Sequence, residues 1–182
     1  MTPPSPQQLR DLSVDLSVEQ QKLEALVESL AALGAVAGDR LRIDAAALRL
    51  QSFYTGFERC LVQISRVLNG GTPDGGDWHR RLLGRMGHPT EERPALLSQS
   101  SMPALEELLR FRHLVRHLYA YELQAEPVER LRTLALRLWP EVRGELEAFQ
   151  AWLRQNKESS RVAPLAPSLD VRQPCPGEPG AP

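Results

Sequence analysis

One short cationic segment holds most of the side chains that could do chemistry. It combines three arginines, two histidines and a tyrosine: Arg110, Arg112, His113, Arg116, His117 and Tyr119. Histidine can take up and release a proton near neutral pH. The planar guanidinium of arginine can bind two oxygens of a phosphate or a carboxylate. The segment therefore has the side chains needed to transfer protons beside a bound anion.

A plain solvated helix face is the alternative interpretation of the same segment, because exposed arginines are common on helices. Leu105, Leu109 and Leu123 lie at helical spacing on either side of Arg112 and Arg116. Apolar side chains that frame cations are typical of an interface or a cleft. We therefore treat the segment as a candidate functional site.

The element predicted to position this segment is a helix that begins at Ser101 and Pro103 and runs to about Leu123. Proline is favoured in the first turn of a helix. Apolar residues repeat at helical spacing along one side and predict the buried stripe: Leu108, Phe111, Val115 and Leu118.

Four further helices are predicted from 3.6-residue periodicity, over residues 18–33, 39–68, 78–86 and 127–153. Asp39 is a plausible N-cap for the second of these helices. Pro140 is expected to kink the last one without ending it. We find no strand pattern, and the sequence therefore predicts an all-α, up-and-down helical bundle.

The predicted bundle occupies only part of the chain. We expect a flexible N-terminus over residues 1–17, a helical domain over residues 18–157, and a disordered Pro/Gly-rich tail over residues 158–182.

Composition sets limits on the class of protein. The formal net charge is -1, so any nucleic-acid site must be a local cluster of charge. The two cysteines, Cys60 and Cys175, do not suggest a disulfide framework. The polar start contains no apolar signal-peptide region, and no apolar run is long enough to span a bilayer. These features predict a cytoplasmic protein that does not contact a membrane.

Other combinations of residues give weaker signals. His113 and His117 are four residues apart, a spacing that can bind zinc, but no cysteine or suitable carboxylate is near, so we expect no metal and no cofactor. Residues 78–81, Trp-His-Arg-Arg, are either a second nucleic-acid contact or a loop anchored on the core by Trp78. Residues 70–76 lack the lysine of a phosphate-binding loop and are interpreted as a turn.

The motif Arg112-x-x-x-x-His117-x-Tyr119 resembles that of the HEPN superfamily, in particular the HepT-like ribonuclease toxins. Other blocks resemble HepT-like domains in order and spacing: residues 53–59, 78–83, 93–94 and 111–123. The resemblance covers roughly residues 41–153. The first forty residues and the tail depart from it.

The resemblance implies a metal-independent endoribonuclease that forms a symmetric homodimer, with the motif lining a cleft between the two chains. It also implies a toxin–antitoxin system in which an MNT-type nucleotidyltransferase antitoxin adds AMP to Tyr119. In that scheme His117 is the acid/base and Arg112 binds the phosphate, with His113 and Arg116 as further contacts to the RNA substrate, for which tRNA is one candidate.

Helix geometry leaves one difficulty for this scheme. Residues five apart on an ideal helix differ by about 140° in direction, so Arg112 and His117 need not converge within one chain. Either the helix is distorted, or a two-fold dimer brings His117 of one chain near Arg112 of the other, and we prefer the dimer. Two rival functions stay open: a catalytically silent HEPN module that binds a nucleotide or a partner, and a helical adaptor for an acidic protein.

Overall fold

Five α-helices make up the part of the chain that the computed structural model describes, which is residues 3–36, 38–116 and 123–159. The helices are α1 (Pro6–Ala32), α2 (Arg40–Leu68), α3 (Trp78–Met86), α4 (Met102–Val115) and α5 (Ala125–Ser159). No strand occurs within these ranges. The predicted all-α bundle is therefore confirmed.

Helix α2 is central to the bundle, because it packs against each of the other four helices. Its apolar stripe is buried, and Phe53, Tyr54 and Phe57 are among the largest fully buried side chains. Phe53 meets the edge of Trp139 from α5, with ring centroids 5.8 Å apart. Any side chain on the face of α2 that carries Phe53, Tyr54 and Phe57 therefore lies close to several other helices.

Helix α1 begins much earlier than the sequence predicted. Ser5 accepts a hydrogen bond from the backbone of Gln8, and the Gln8 side chain in turn accepts one from the Ser5 backbone. Leu9, Leu12 and Leu16 are buried in the core. The prediction of a flexible segment over residues 1–17 is therefore wrong from Pro6 onward. Proline fits the first turn of a helix, so the prolines here mark a helix start and not a loose chain.

Helix α4 is shorter than the sequence predicted. It ends at Val115, with Arg116 as its C-cap, whereas Leu123 is not helical. The prediction of one helix up to Leu123 is wrong in this respect. The sequence also predicted that Leu118 and Tyr119 are helical. Both belong to residues 117–122, which lie outside the described residues. Residues 160–182, most of the predicted tail, also lie outside them.

The remaining helix ends follow the local signals in the sequence. Asp39 caps α2 by accepting a hydrogen bond from the backbone of Arg42, and Asn69 ends that helix. Helix α3 has the predicted bounds, and Pro103 lies in the first turn of α4. Helix α5 continues through Pro140. Within the described ranges, no helix has both the length and the apolar character needed to cross a bilayer.

Candidate active site

The candidate site lies where α2, α3 and α4 meet, around the carboxylate of Glu58. Arg112 from α4 places Nη2 3.1 Å from Glu58 Oε2, and both side chains are at least nine-tenths buried. Arg112 Nε also donates a hydrogen bond of 3.4 Å to Thr55 Oγ1 on α2. The arginine that the sequence predicted as functional is thus held in the interior by a carboxylate and a hydroxyl of one neighbouring helix.

The other oxygen of Glu58 holds a histidine from α3. His79 Nδ1 lies 2.5 Å from Glu58 Oε1, and the histidine side chain is 12% exposed. Because an ionised carboxylate only accepts hydrogen bonds, Nδ1 is assigned the proton in this pair. One carboxylate therefore fixes both the arginine and a histidine.

Two further rings confine His79. Trp78 stacks on it with centroids 3.7 Å apart, and His113 from α4 meets it edge to face at 5.1 Å. Three helices therefore bring together Glu58, His79, His113 and Arg112. The side chain of His79 is fixed on both its bonded edge and its faces.

Unpaired polar atoms lie in this same region. Arg112 Nη1 and the hydroxyl of Tyr54 are fully buried and have no hydrogen-bond partner among the described residues. Burial, followed by the negative charge of Glu58, raises the pKa of Tyr54, so its phenol stays protonated at neutral pH. Most buried donors in proteins are paired, and two unpaired ones beside a single ion pair are unusual.

His113 has a lowered pKa. Burial is the main cause, and the neighbouring His79, Arg112 and Arg116 act in the same direction, while Glu58 opposes them. His113 is therefore mostly neutral at neutral pH and does not add a positive charge to the cluster.

The structure brings together only some of the predicted site residues. Arg112 and His113 belong to the cluster, and Arg116 is exposed at the end of α4. His117 and Tyr119 lie outside the described residues. Leu108 and Phe111, from the stripe predicted to face the core, are buried. Arg112 and the two leucines that precede it at helical spacing, Leu105 and Leu109, are buried as well. Arg112 thus lies against α2 and not at an open surface.

Sequence reasoning missed Glu58 altogether and considered His79 only as part of residues 78–81. A signal for Glu58 was present, because it shares a helix face with Tyr54 and Leu61, both of which are fully buried. A carboxylate at a core-facing position requires a charged or hydrogen-bonding partner. The partner could not be named without knowing which helices adjoin α2.

No group of three or more His, Cys, Asp or Glu side chains within the described ranges is arranged to hold a metal ion. The cluster is therefore organised by hydrogen bonds and one ion pair.

A family model described as "HepT-like protein" matches residues 45–153, which is more than half of the chain. The match includes α3, α4 and the carboxylate of Glu58 on α2. No curated protein and no solved structure shows a significant match to the chain. The matched residues include the Arg112 motif region, and the described residues form an all-helical bundle. The chain therefore belongs to the family of HepT-like proteins of the HEPN superfamily.

Proposed function

We propose that this protein is a metal-independent endoribonuclease, the toxin of a HEPN/MNT-type toxin–antitoxin system in the cytoplasm. The observation that carries the proposal is the cluster around Glu58, in which Arg112 lies close to His79 and His113 and has one donor that no described residue pairs with. Membership of the HepT-like family supports it.

The chemistry of RNA cleavage fits these residue types. The 2′-OH attacks the adjacent phosphate, one group removes its proton, and another protonates the leaving 5′-oxygen. His117 is proposed as one of these proton-transfer groups. Arg112 is proposed to stabilise the extra negative charge that develops on the phosphate. His113 and Arg116 are proposed as weaker contacts to the substrate.

A homodimer is part of the proposal, because surface next to the motif is apolar. Leu114 is 52% exposed at the end of α4. Beside it lies a groove of about 420 Å³ between α4 and α5, lined by apolar residues such as Phe111 and Leu131 and by Arg110 and Arg130. A two-fold axis near this groove would bring the two copies of the motif together.

Control by an MNT-type nucleotidyltransferase antitoxin is the remaining part of the proposal. AMP on Tyr119, seven residues after Arg112, adds bulk and negative charge close to the arginines. The added phosphate then competes with RNA phosphates for the same cations. Tyr119 lies outside the described residues, so its identification rests on the motif alone.

A catalytically silent module that binds a nucleotide or a partner is the second candidate. It is favoured by the burial of Arg112, whose side chain is 9% exposed and already paired with Glu58. An arginine held in this way can simply connect α2 to α4. The two candidates differ in whether the purified protein cleaves RNA.

The test is expression in cells with and without the neighbouring nucleotidyltransferase gene, followed by RNA cleavage assays on the purified protein in EDTA. We expect toxicity only without the transferase, and products that end in 2′,3′-cyclic phosphate. His117→Ala and Arg112→Lys should each lower cleavage by about a hundred-fold or more. Arg143→Ala, which removes a surface ion pair with Glu147 on α5, is the matched control and should leave cleavage unchanged.

Absence of cleavage by the wild-type protein, or cleavage at wild-type rates by both variants, would leave the silent module as the better account. The modification is tested separately by intact-mass spectrometry with the transferase and ATP. Tyr119→Phe should abolish the mass gain of one AMP, and persistence of the gain would point to Tyr121 as the next candidate.

A further inference from the structure

We propose that His79 is a catalytic residue of this reaction, the general base that takes the proton from the substrate's 2′-OH, with Glu58 as its positioning residue. This inference rests on the proposed ribonuclease function. It assigns the second proton-transfer group that the reaction needs, in addition to His117 of the motif.

The hydrogen bond between His79 and Glu58 favours this role. Nδ1 is engaged by Oε1 of the carboxylate at 2.5 Å, which leaves Nε2 as the ring nitrogen that can accept a proton. A carboxylate behind a histidine holds the ring in one tautomer and stabilises the imidazolium that forms when the base is protonated. Glu58 is in the position required for both effects.

The surroundings of His79 fix its direction. Trp78 stacks on the ring and His113 meets it edge to face, so rotation of the imidazole is restricted on both sides. The side chain nevertheless keeps 12% of its surface exposed, whereas Glu58 is 7% exposed. The proposal requires Nε2 of the histidine, and not the carboxylate, to be the atom that meets the substrate.

The shared carboxylate places the base next to the proposed phosphate-binding group. Glu58 Oε1 holds His79, and Oε2 lies 3.1 Å from Nη2 of Arg112. The proton acceptor and the guanidinium are thus separated by one carboxylate. The proposal therefore places the 2′-OH of one ribose at His79 Nε2 and the adjacent 3′-phosphate at Arg112.

The step balances without any co-reactant. The proton of the 2′-OH passes to His79 Nε2 as the 2′-oxygen forms a bond to phosphorus. The bond between phosphorus and the 5′-oxygen breaks, and the leaving oxygen takes a proton from the general acid, proposed to be His117. The products are a 2′,3′-cyclic phosphate and a free 5′-hydroxyl. Deprotonation of the acid and protonation of the base are reversed through solvent.

The test compares His79→Gln with wild type on an RNA oligonucleotide cut at a mapped position. Glutamine keeps a donor for Glu58 but cannot take up a proton, so the fold should be preserved. We expect kcat to fall by about a hundred- to ten-thousand-fold. His88→Ala is the matched control, because His88 is exposed in the segment after α3 and should leave kcat unchanged.

A substrate with a better leaving group distinguishes whether His79 acts as a general base, acts as a general acid or has only a structural role. In an oligonucleotide whose scissile 5′-oxygen is replaced by sulfur, the leaving thiolate needs no proton. We expect His79→Gln to show the same loss on both substrates, whereas the loss of His117→Ala should shrink on the sulfur substrate. Added imidazole should restore part of the activity of His79→Ala.

Each outcome decides a different claim. A loss in His79→Gln that disappears on the sulfur substrate would make His79 an acid and overturn the assignment as base. Cleavage by His79→Gln at the wild-type rate would overturn its catalytic role while leaving the proposed function intact. If wild-type protein cleaves no RNA at all, the proposed function fails, and this inference fails with it.

Discussion

Glu58 is the residue on which the candidate site depends, because it binds side chains from two other helices. Its two oxygens hold His79 on α3 and Arg112 on α4, and its side chain is 7% exposed. A buried ion pair contributes little net stability, because desolvation offsets the attraction between the charges. Removal of one partner is costly, since the other charge is then buried alone. The roles of these side chains in stability and in catalysis must therefore be separated by paired variants.

Arg112→Ala should lower the free energy of unfolding by about 3–5 kcal/mol, because it leaves Glu58 without its cation. The double variant Glu58→Gln with Arg112→Ala should be less destabilised than the sum of the two single variants. Urea denaturation followed by circular dichroism measures all four proteins. Additive effects would mean that the two side chains are not coupled. Arg130→Ala, at a surface pair, serves as the control, with a change of less than about 1 kcal/mol.

His113 gives the site a pH dependence of known sign. Burial lowers its pKa below 6.5 in the folded chain, so the unfolded chain binds a proton there at a higher pH than the folded chain. Above about pH 6.5 His113 is neutral in both states and does not lower the free energy of unfolding. Below that pH the unfolded chain binds the proton more readily, so the free energy of unfolding falls. His113→Gln should reduce the loss of stability between about pH 7.5 and 5.5. An unchanged pH dependence in urea denaturation would contradict the assignment.

At the scale of the helices, Arg93 fixes the end of the helix that carries His79. Arg93 is 2% exposed, and this burial lowers its pKa. Among the described residues it has no carboxylate partner. Its guanidinium donates to the backbone carbonyls of Arg85 and His88 and to the side chain of Asn69. These bonds add to those from the backbone N–H groups of Gly87 and His88, which donate to the last carbonyls of α3. Arg93 thus joins α3 to the end of α2 and helps to maintain the position of the site.

Helix α1 is the element in which sequence and structure differ most. Deletion of residues 1–17 would remove the capping box and the buried Leu9, Leu12 and Leu16. We expect a loss of at least about 5 kcal/mol, taking about 1.5–3 kcal/mol for each buried leucine. Thermal denaturation should show this as a large fall in Tm. Deletion of residues 1–4 keeps Ser5 and is the control. An unchanged Tm in the longer deletion would restore the prediction of a flexible N-terminus.

At the scale of the whole molecule, the single chain leaves donors unpaired and apolar surface exposed near the end of α4. Arg112 Nη1 is buried without a partner among the described residues, and Leu114 is 52% exposed. Both features fit a site that a second chain or a substrate completes. We therefore expect the active form to contain two copies of the chain.

Light scattering at micromolar concentration should give the mass of a dimer for the wild-type protein. Leu114→Glu should shift the mass toward that of a monomer, because a charge in an apolar interface is not solvated there. Leu48→Glu is the matched control, since Leu48 is 62% exposed on α2 and should not affect association. A wild-type monomer without any partner would contradict the dimer.

Local patterns along the chain were sufficient to predict the class of fold and most of the helix ends. Helical periodicity and local caps act over a few residues, so Asp39, Pro103 and the bounds of α3 could be predicted from neighbours along the chain. The start of α1 is also marked by local signals, the Ser5 capping box and a proline in the first turn, although prolines are common in loose segments as well. The Arg112 motif region was also recognisable, because it lies within one short segment.

The surroundings of Arg112 depend on how α2, α3 and α4 pack against one another. The sequence predicted a cationic stripe next to a cleft. In the structure, packing of α4 on α2 buries this arginine against Glu58, and packing of α3 on α2 brings His79 to the same carboxylate. Glu58 and Arg112 are 54 positions apart, and Glu58 and His79 are 21 apart. No local pattern specifies such pairs, because they depend on which faces of α2, α3 and α4 meet. That choice follows from burial of the whole apolar core, to which every helix contributes.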